Sequence, residues 1–399
     1  MSKLKILLCH NYYQNSGGES EVFENETRGL AQMGEDVVVY SRTNVDIPKM
    51  STLQKIDVGF SAYSSMHSKR DILRLIEKDR PDVALVQNVF PLLTPSVYIA
   101  LAQAGIPIIQ TVYNYRLVCP SAELYTEGAI CERCIGGNTI HAVLHRCYRG
   151  SYTESAWYAS IIGLHRLLGT FSQKITSFMV PDNFLGKKLA EGGIPLSKIW
   201  RNPNPLFLKD YQPEPTHLGF VLFAGRLVSQ KGILTLLKAM EYTNSSSKLV
   251  IVGLGELAEE IQSRISHLGM SERVTLLGPV WGADLERLIR QSAAVVIPSE
   301  WYDNLPMILC KANALGKPVI ASQIDGIPEY VTHGETGYLF EPGNALELAG
   351  FIDGVLSLSA SEYRQLSDKA RAFAEDVLDY PNHYRNLMNE IQSLMDNNI

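Results

Sequence analysis

A chain of 399 residues, 46% apolar and 20% charged with a net charge of −6, has a globular composition and is too long for one ordinary core, so two domains are expected. It carries no run as long as a membrane span and no basic stripe or nucleic-acid-binding motif, so neither a spanning helix nor a nucleic-acid partner is expected. The opening Met1-Ser-Lys-Leu-Lys-Ile-Leu-Leu-Cys9 puts charge before a short apolar run without a small-residue cleavage site. It reads as a first strand rather than a secretory signal, and the expected location is the cytoplasm.

Charge is uneven. Residues 1–205 hold 21 Lys+Arg against 18 Asp+Glu, and residues 206–399 hold 15 against 24, so the halves carry +3 and −9. Arg133, Arg146, Arg149, Lys187 and Lys188 make the first half the one that would rest peripherally against an anionic membrane, a solvated basic face being the alternative.

Residues 3–9 read as a strand, followed by a loop Asn15-Ser-Gly17-Gly18-Glu19 whose glycines let backbone approach a ligand. A helix over about 21–33, a strand at 36–40, a helix at 69–78, a strand at 82–87, a helix at 96–104 and a strand at 105–112 follow. This alternation predicts an α/β fold with a parallel sheet covered on both faces. Residues 115–150 break the rhythm and contain Cys119, Cys131, Cys134 and Cys147. The two-residue gap in Cys131-Glu-Arg-Cys134 suits two thiolates on one tetrahedral ion, so a structural zinc site is expected, with unrelated or redox-active thiols as the alternative. Cys9 and Cys310 sit in apolar runs and read as packing.

Alternation resumes with a helix at 156–172, a strand at 175–180 and a helix at 184–191, then the proline-rich Arg201-Asn-Pro-Asn-Pro205 as a linker. The second domain, 206–375, repeats the pattern: strands at 219–224, 248–252, 273–277, 293–298 and 318–322, helices at 233–242, 256–268, 284–291 and 308–315. A final amphipathic segment, 362–395, is interrupted at Asp379-Tyr-Pro381, and residues 376–399 are expected to pack back on the first domain.

The stretch Phe220-Val-Leu-Phe-Ala-Gly225-Arg226-Leu-Val-Ser-Gln-Lys231-Gly232 is a strand, a tight loop and the start of a helix. Such a loop gathers free N–H groups and positive dipole, and Arg226 and Lys231 add two full charges. It reads as a diphosphate clamp, or otherwise as two solvated basic residues.

Gly225-Arg226, Lys231-Gly232, Pro298-Ser-Glu-Trp-Tyr-Asp303-Asn-Leu-Pro306, Ala314-Leu-Gly-Lys-Pro-Val-Ile-Ala-Ser322 and Ile327-Pro-Glu329 resemble, in order and spacing, the family 4 retaining glycosyltransferases. So do Gly17-Gly18, Asn114-Tyr115-Arg116-Leu-Val-Cys119-Pro120 and Gly334-Glu-Thr-Gly337. The resemblance implies a GT-B fold, two Rossmann-like domains facing across a cleft, with a nucleotide-diphosphate sugar on the second and a glycan or lipid-linked acceptor on the first. It implies no metal for catalysis, and work at the inner face of the membrane on bacterial surface polysaccharide. Arg226 and Lys231 would stabilise charge on the leaving phosphate, Gly17 and Gly18 would meet the same phosphates through backbone, and Asn304, Leu305 and Pro306 would meet the donor ahead of a helix. Glu329 belongs to the same donor motif.

Three positions depart from the family pattern. Its paired glutamates correspond here to Asp303 and Lys311, and an ammonium has no lone pair to accept from ribose hydroxyls. Its histidine corresponds to Tyr113, whose hydroxyl can bond a sugar but does not titrate near neutrality. Three readings therefore stand: an active hexosyltransferase-like enzyme with an altered donor site, a degenerate relative acting as a binding or scaffold subunit of a polysaccharide-assembly complex, and other chemistry on a GT-B frame such as epimerisation of a nucleotide-sugar.

Overall fold

The computed structural model describes residues 3–14, 17–51 and 58–396; Asn15 and Ser16 of the glycine loop, Met1-Ser2 and Asn397–Ile399 lie outside them. The chain forms two compact units, Met1–Pro205 with His383–Ile399, and Leu206–Asn382.

The first unit has strands β1 (Lys5–Tyr12), β2 (Asp36–Thr43), β3 (Val83–Val86) and β4 (Ile108–Thr111), an antiparallel pair β5 (Tyr125–Thr126) and β6 (Ala129–Ile130), and then β7 (Ser177–Val180) and β8 (Ile199–Arg201). Its main sheet runs β2-β1-β3-β4-β7-β8, all parallel. β3, β4 and β7 are buried at every position, the pattern of strands covered on both faces rather than one. Helices Gly18–Gln32, Met66–Lys78, Ser96–Gln103, Tyr152–Leu167 and Asn183–Glu191 supply the cover. Ser65, Ser151 and Asp182 cap three of them, accepting from the amides of Ser68, Glu154 and Leu185. The core joins Ile6, Leu8, Leu85, Ile109 and Met179 to Leu387, Met388 and Ile391 of the last helix, Tyr380–Asp396. His383 anchors that helix, one ring nitrogen 2.7 Å from the Glu26 carboxylate and the other 3.0 Å from the Pro203 carbonyl.

The second unit has β9 (Phe220–Ala224), β10 (Lys248–Val252), β11 (Val274–Leu276), β12 (Ala294–Ile297), β13 (Val319–Ser322) and β14 (Gly337–Phe340). They pair in parallel in the order β11-β10-β9-β12-β13-β14. The winding reverses between β9 and β12, and a sheet of this kind binds ligands beyond the carboxyl ends of the strands at that reversal.

Strands β8 and β14 and helices Ile140–Leu144 and Ala345–Leu356 add to the elements expected from periodicity. β8 is a three-residue edge strand whose Ile199-Trp-Arg201 pairs with Phe178–Val180, too short for a local pattern. The break in the terminal segment falls at Leu378–Asp379, where Leu206 donates to Leu378 and Tyr380 donates back to Leu206, each at 2.8 Å. Residues 376–382 accordingly stay with the second unit, and the chain rejoins the first at His383. No helix among the described residues is long and apolar enough to cross a membrane.

Candidate active site

In the second unit, the loops after β9 and β12 carry the chemistry. Lys231 closes a short 3₁₀ turn, Ser229–Lys231, and Gly232 then takes φ +66° to start the helix Ile233–Tyr242. A Cβ on Gly232 would lie 1.7 Å from the Pro298 carbonyl oxygen, so only glycine lets the first loop press against the second. This contact brings Lys231 to Asp303. Their side chains form an ion pair, 18% and 4% exposed, and the other Asp303 oxygen accepts from Ser299 Oγ at 2.7 Å.

Trp301 gathers the two cations. The Arg226 guanidinium lies 5.6 Å and the Lys231 ammonium 5.7 Å from its ring centroid. Trp301 itself is buried, while Arg226 is exposed. A buried indole beneath an exposed guanidinium fixes the position of the cation without neutralising its charge.

The approach to helix Met307–Ala314 is shaped by Asp325. One of its oxygens accepts from the amides of Asp303 and Asn304, the latter at 3.1 Å, and the other accepts from Ile327 at 2.8 Å. Asn304 sits in the left-handed region at φ 57°, and its buried Oδ1 has no partner. The Asn304 amide assigned to the donor thus points at a carboxylate of the same unit. Leu305 is buried and Pro306 precedes the helix, whose N-terminus no side chain caps. Lys311 follows on that helix, half-buried, and Glu329 ends the 3₁₀ turn Ile327–Glu329 after β13.

The first unit holds the other expected residues. Gly17 and Gly18 are exposed at the start of helix Gly18–Gln32. Tyr113 follows β4 and lines a polar recess with Glu19, Gln87, Gln110, Asn114 and Arg116. Asn114 donates to the Glu19 carboxylate at 2.7 Å and accepts from the Arg116 amide at 2.9 Å. The Arg116 guanidinium stacks 4.4 Å from the Tyr158 ring centroid. Burial raises the Glu19 carboxyl above the ordinary range, with Asn114 and Arg116 opposing. Burial likewise pushes the Tyr113 hydroxyl up, with the Glu26 charge adding to it, so Tyr113 acts here as a neutral hydrogen-bonding group.

Residues 208–373 match the model of the family described as glycosyl transferases group 1. They make the second unit a group 1 glycosyltransferase module. A stretch of 139 residues, 34% of the chain, is 36% identical to an uncharacterised glycosyltransferase of Methanocaldococcus jannaschii, of which it covers 35%. A longer stretch of 218 residues, 49% of the chain, is 28% identical to the lipopolysaccharide 1,2-N-acetylglucosaminetransferase of Salmonella typhimurium and covers 56% of it. These matched stretches span between a third and somewhat over half of the relatives. Among solved structures, Anabaena HepE in complex with UDP and glucose superposes with a TM-score of 0.66 at 16% identity, covering 98% of this chain and 100% of that one. Sucrose-phosphate synthase from Thermosynechococcus elongatus gives 0.69 at 16%, covering 99% and 100%. The chain therefore has the GT-B fold of two Rossmann-like units along its length.

Trp301, Ser299 and Asp325 in the second unit, and Glu19 and Arg116 in the first, join the expected residues of their own unit without having been singled out from sequence as site residues. Trp301 and Ser299 lie inside the Pro298–Pro306 run that carries the family resemblance, and Arg116 and Asn114 inside the Asn114–Pro120 run. Asp325 has no such signal, because its partners are amides 21 and 22 residues away.

Proposed function

We propose that this group 1 glycosyltransferase moves a hexose-like sugar from a nucleotide diphosphate, with retention and without a catalytic metal, to a glycan or lipid-linked acceptor of a bacterial surface polysaccharide. The observation that carries the reading is the convergence of Arg226 and Lys231 on Trp301 at the switch point of the second sheet. Breaking the bond from sugar to diphosphate leaves charge on a phosphate oxygen. Two fixed cations there are worth most as that charge develops, which lowers the barrier rather than only tightening binding.

Asp303 holds Lys231 in place and keeps acceptor capacity for a donor-sugar hydroxyl. In the first unit, Tyr113 offers a neutral hydroxyl, and Gly18 an amide at the head of a helix. Their assignment to the same donor rests on the family resemblance.

The relatives support the setting, since one is named for lipopolysaccharide synthesis and another, from Erwinia amylovora, for amylovoran biosynthesis. A peripheral position at the inner face of the cytoplasmic membrane fits the apolar side chains exposed on and beside the helix Tyr152–Leu167: Leu144, Tyr152, Leu167 and Leu168, 58–85% accessible. Arg146 and Arg149 flank them in sequence.

The test is calorimetric titration with UDP, GDP and their sugars, followed by an assay for free nucleoside diphosphate with envelope lipid extract as acceptor. Binding with turnover is expected. Binding without turnover would instead support the degenerate, scaffold-like alternative, and no binding at millimolar concentration would remove the transferase reading.

A further inference from the structure

Between Tyr125 and Gly150 only Cys134 and Ala142 are buried. The stretch has two paired dipeptides, β5 and β6, and the five-residue helix Ile140–Leu144. Its apolar cluster is Cys134, Ala142 and Ala159 with Val143 and Cys147 against them, so two of the five members are thiols. Burial of that size does not offset the conformational entropy of ordering such a segment, and short domains of this kind are ordinarily held by a crosslink or an ion.

Cys119, Cys131, Cys134 and Cys147 line one cavity of about 10 Å³, with Ser121, Thr126 and His141. That volume suits one ion, not an organic ligand. None of the four is in a disulfide. Backbone bonds hold the turns that carry them: Cys131 donates to Leu124 at 2.8 Å, Ile135 to Glu132 at 2.9 Å and Cys147 to Ala142 at 3.0 Å. Ser121 Oγ lies 3.2 Å from Cys119 Sγ, and the Cys147 thiol donates to Thr126 Oγ1 at 3.5 Å, so each of these sulfurs already has a hydroxyl beside it that can turn to donate once the thiol is deprotonated.

A second observation is independent of the thiols. Arg166, on the helix Tyr152–Leu167, donates to the carbonyls of Cys134 at 3.0 Å and Leu117 at 3.3 Å, yet its Nη2 is buried without a partner. Arg166 does not line the cavity, but its tie to the Cys134 carbonyl keeps a buried positive charge close to the thiols, which suits a centre of net negative charge such as zinc with four thiolates. As placed, no three His, Cys, Asp or Glu side chains among the described residues already stand in ligating geometry. Closing on an ion therefore requires the thiols to turn about their Cα–Cβ bonds into the cavity they share.

We propose that Cys119, Cys131, Cys134 and Cys147 bind one zinc ion and that this ion holds the irregular segment 115–150 together. Each thiol gives up its proton to solvent as its sulfur bonds the metal, so binding is accompanied by proton release and no redox change.

The test uses the full chain purified under reducing conditions without chelator. Elemental analysis is expected to find about one zinc per chain. Cobalt(II) exchanged into the same protein is expected to give the intense visible bands of a tetrahedral thiolate site together with a sulfur-to-cobalt charge-transfer band. Pulsed alkylation of the holoprotein should spare these four cysteines until zinc is stripped. The variant Cys131→Ser should lose zinc to under about a tenth of an equivalent. Because that variant risks misfolding, wild type decides: an absence of zinc, octahedral cobalt spectra, rapid alkylation of all four thiols or a Cys131–Cys134 disulfide by mass would each overturn the proposal. A Cys131→Ser chain that folds and keeps its zinc would do so too.

Discussion

Lys231 and Asp303, 72 positions apart in sequence, are ion-paired at the carboxyl ends of β9 and β12. The ammonium proposed to meet a diphosphate is thus already held by a carboxylate, which fixes its position and offsets part of its charge. Asp303→Asn removes that opposing charge while keeping the shape and one acceptor oxygen. The expected result is tighter binding of nucleoside diphosphate, by a few-fold, with turnover reduced by about 10- to 100-fold as the positioning of Lys231 loosens. Calorimetry and steady-state kinetics on the same preparation separate the two effects.

Lys311 offers a different test, since it stands where the family carries an acceptor for ribose hydroxyls. Lys311→Glu supplies that acceptor on the helix Met307–Ala314. UDP affinity is expected to rise about 3- to 10-fold, the worth of one added hydrogen bond. Unchanged affinity and unchanged rate would show that position 311 does not touch the donor.

Lys317 makes stability depend on pH. It is fully buried, donates to the Thr216 carbonyl at 2.6 Å, and burial lowers its ammonium from 10.5 to about 8. The folded state therefore binds fewer protons than the unfolded chain between these two values, so stability rises with pH across that window. Below about pH 8 the buried charge is a standing cost of up to about 3 kcal/mol, from the size of the shift. Lys317→Met is expected to flatten the dependence of denaturant midpoint on pH between about 8 and 10.5. A variant that keeps the wild-type slope would assign the effect elsewhere.

The exposed leucines of the first unit carry the membrane part of the proposal. Leu167 and Leu168 are 85% and 58% accessible and, among the described residues, are not part of the sheet's core cluster. Replacing both with glutamate removes apolar area and adds negative charge. Flotation with vesicles rich in anionic lipid should fall about tenfold or more, while UDP binding at the proposed clamp of Arg226 and Lys231 stays the same. Equal flotation of variant and wild type would refute the contact.

Most strands and helices were legible because parallel strands buried on both faces leave continuous apolar runs such as Val83–Val86 and Ala294–Ile297. The edge strand β8 and the final strand β14 were not. β8 is three residues long, and Gly337–Phe340 begins with a glycine placed against Val319, so neither leaves a period to read. In the second unit, Arg226 and Lys231 could be read from their place between a strand and a helix. Their shared platform, Trp301, and the Asp325 carboxylate on the Asp303 and Asn304 amides could not, since both arise from contacts between loops distant in sequence.

The most direct measurement compares UDP with UMP, by calorimetry, for wild type and for the double variant Arg226→Ala, Lys231→Ala. If these cations hold the leaving diphosphate, wild type should favour UDP by roughly 100-fold and the double variant should lose nearly all of that margin while still binding UMP. An equal preference for UDP in both proteins would contradict the assignment of the site.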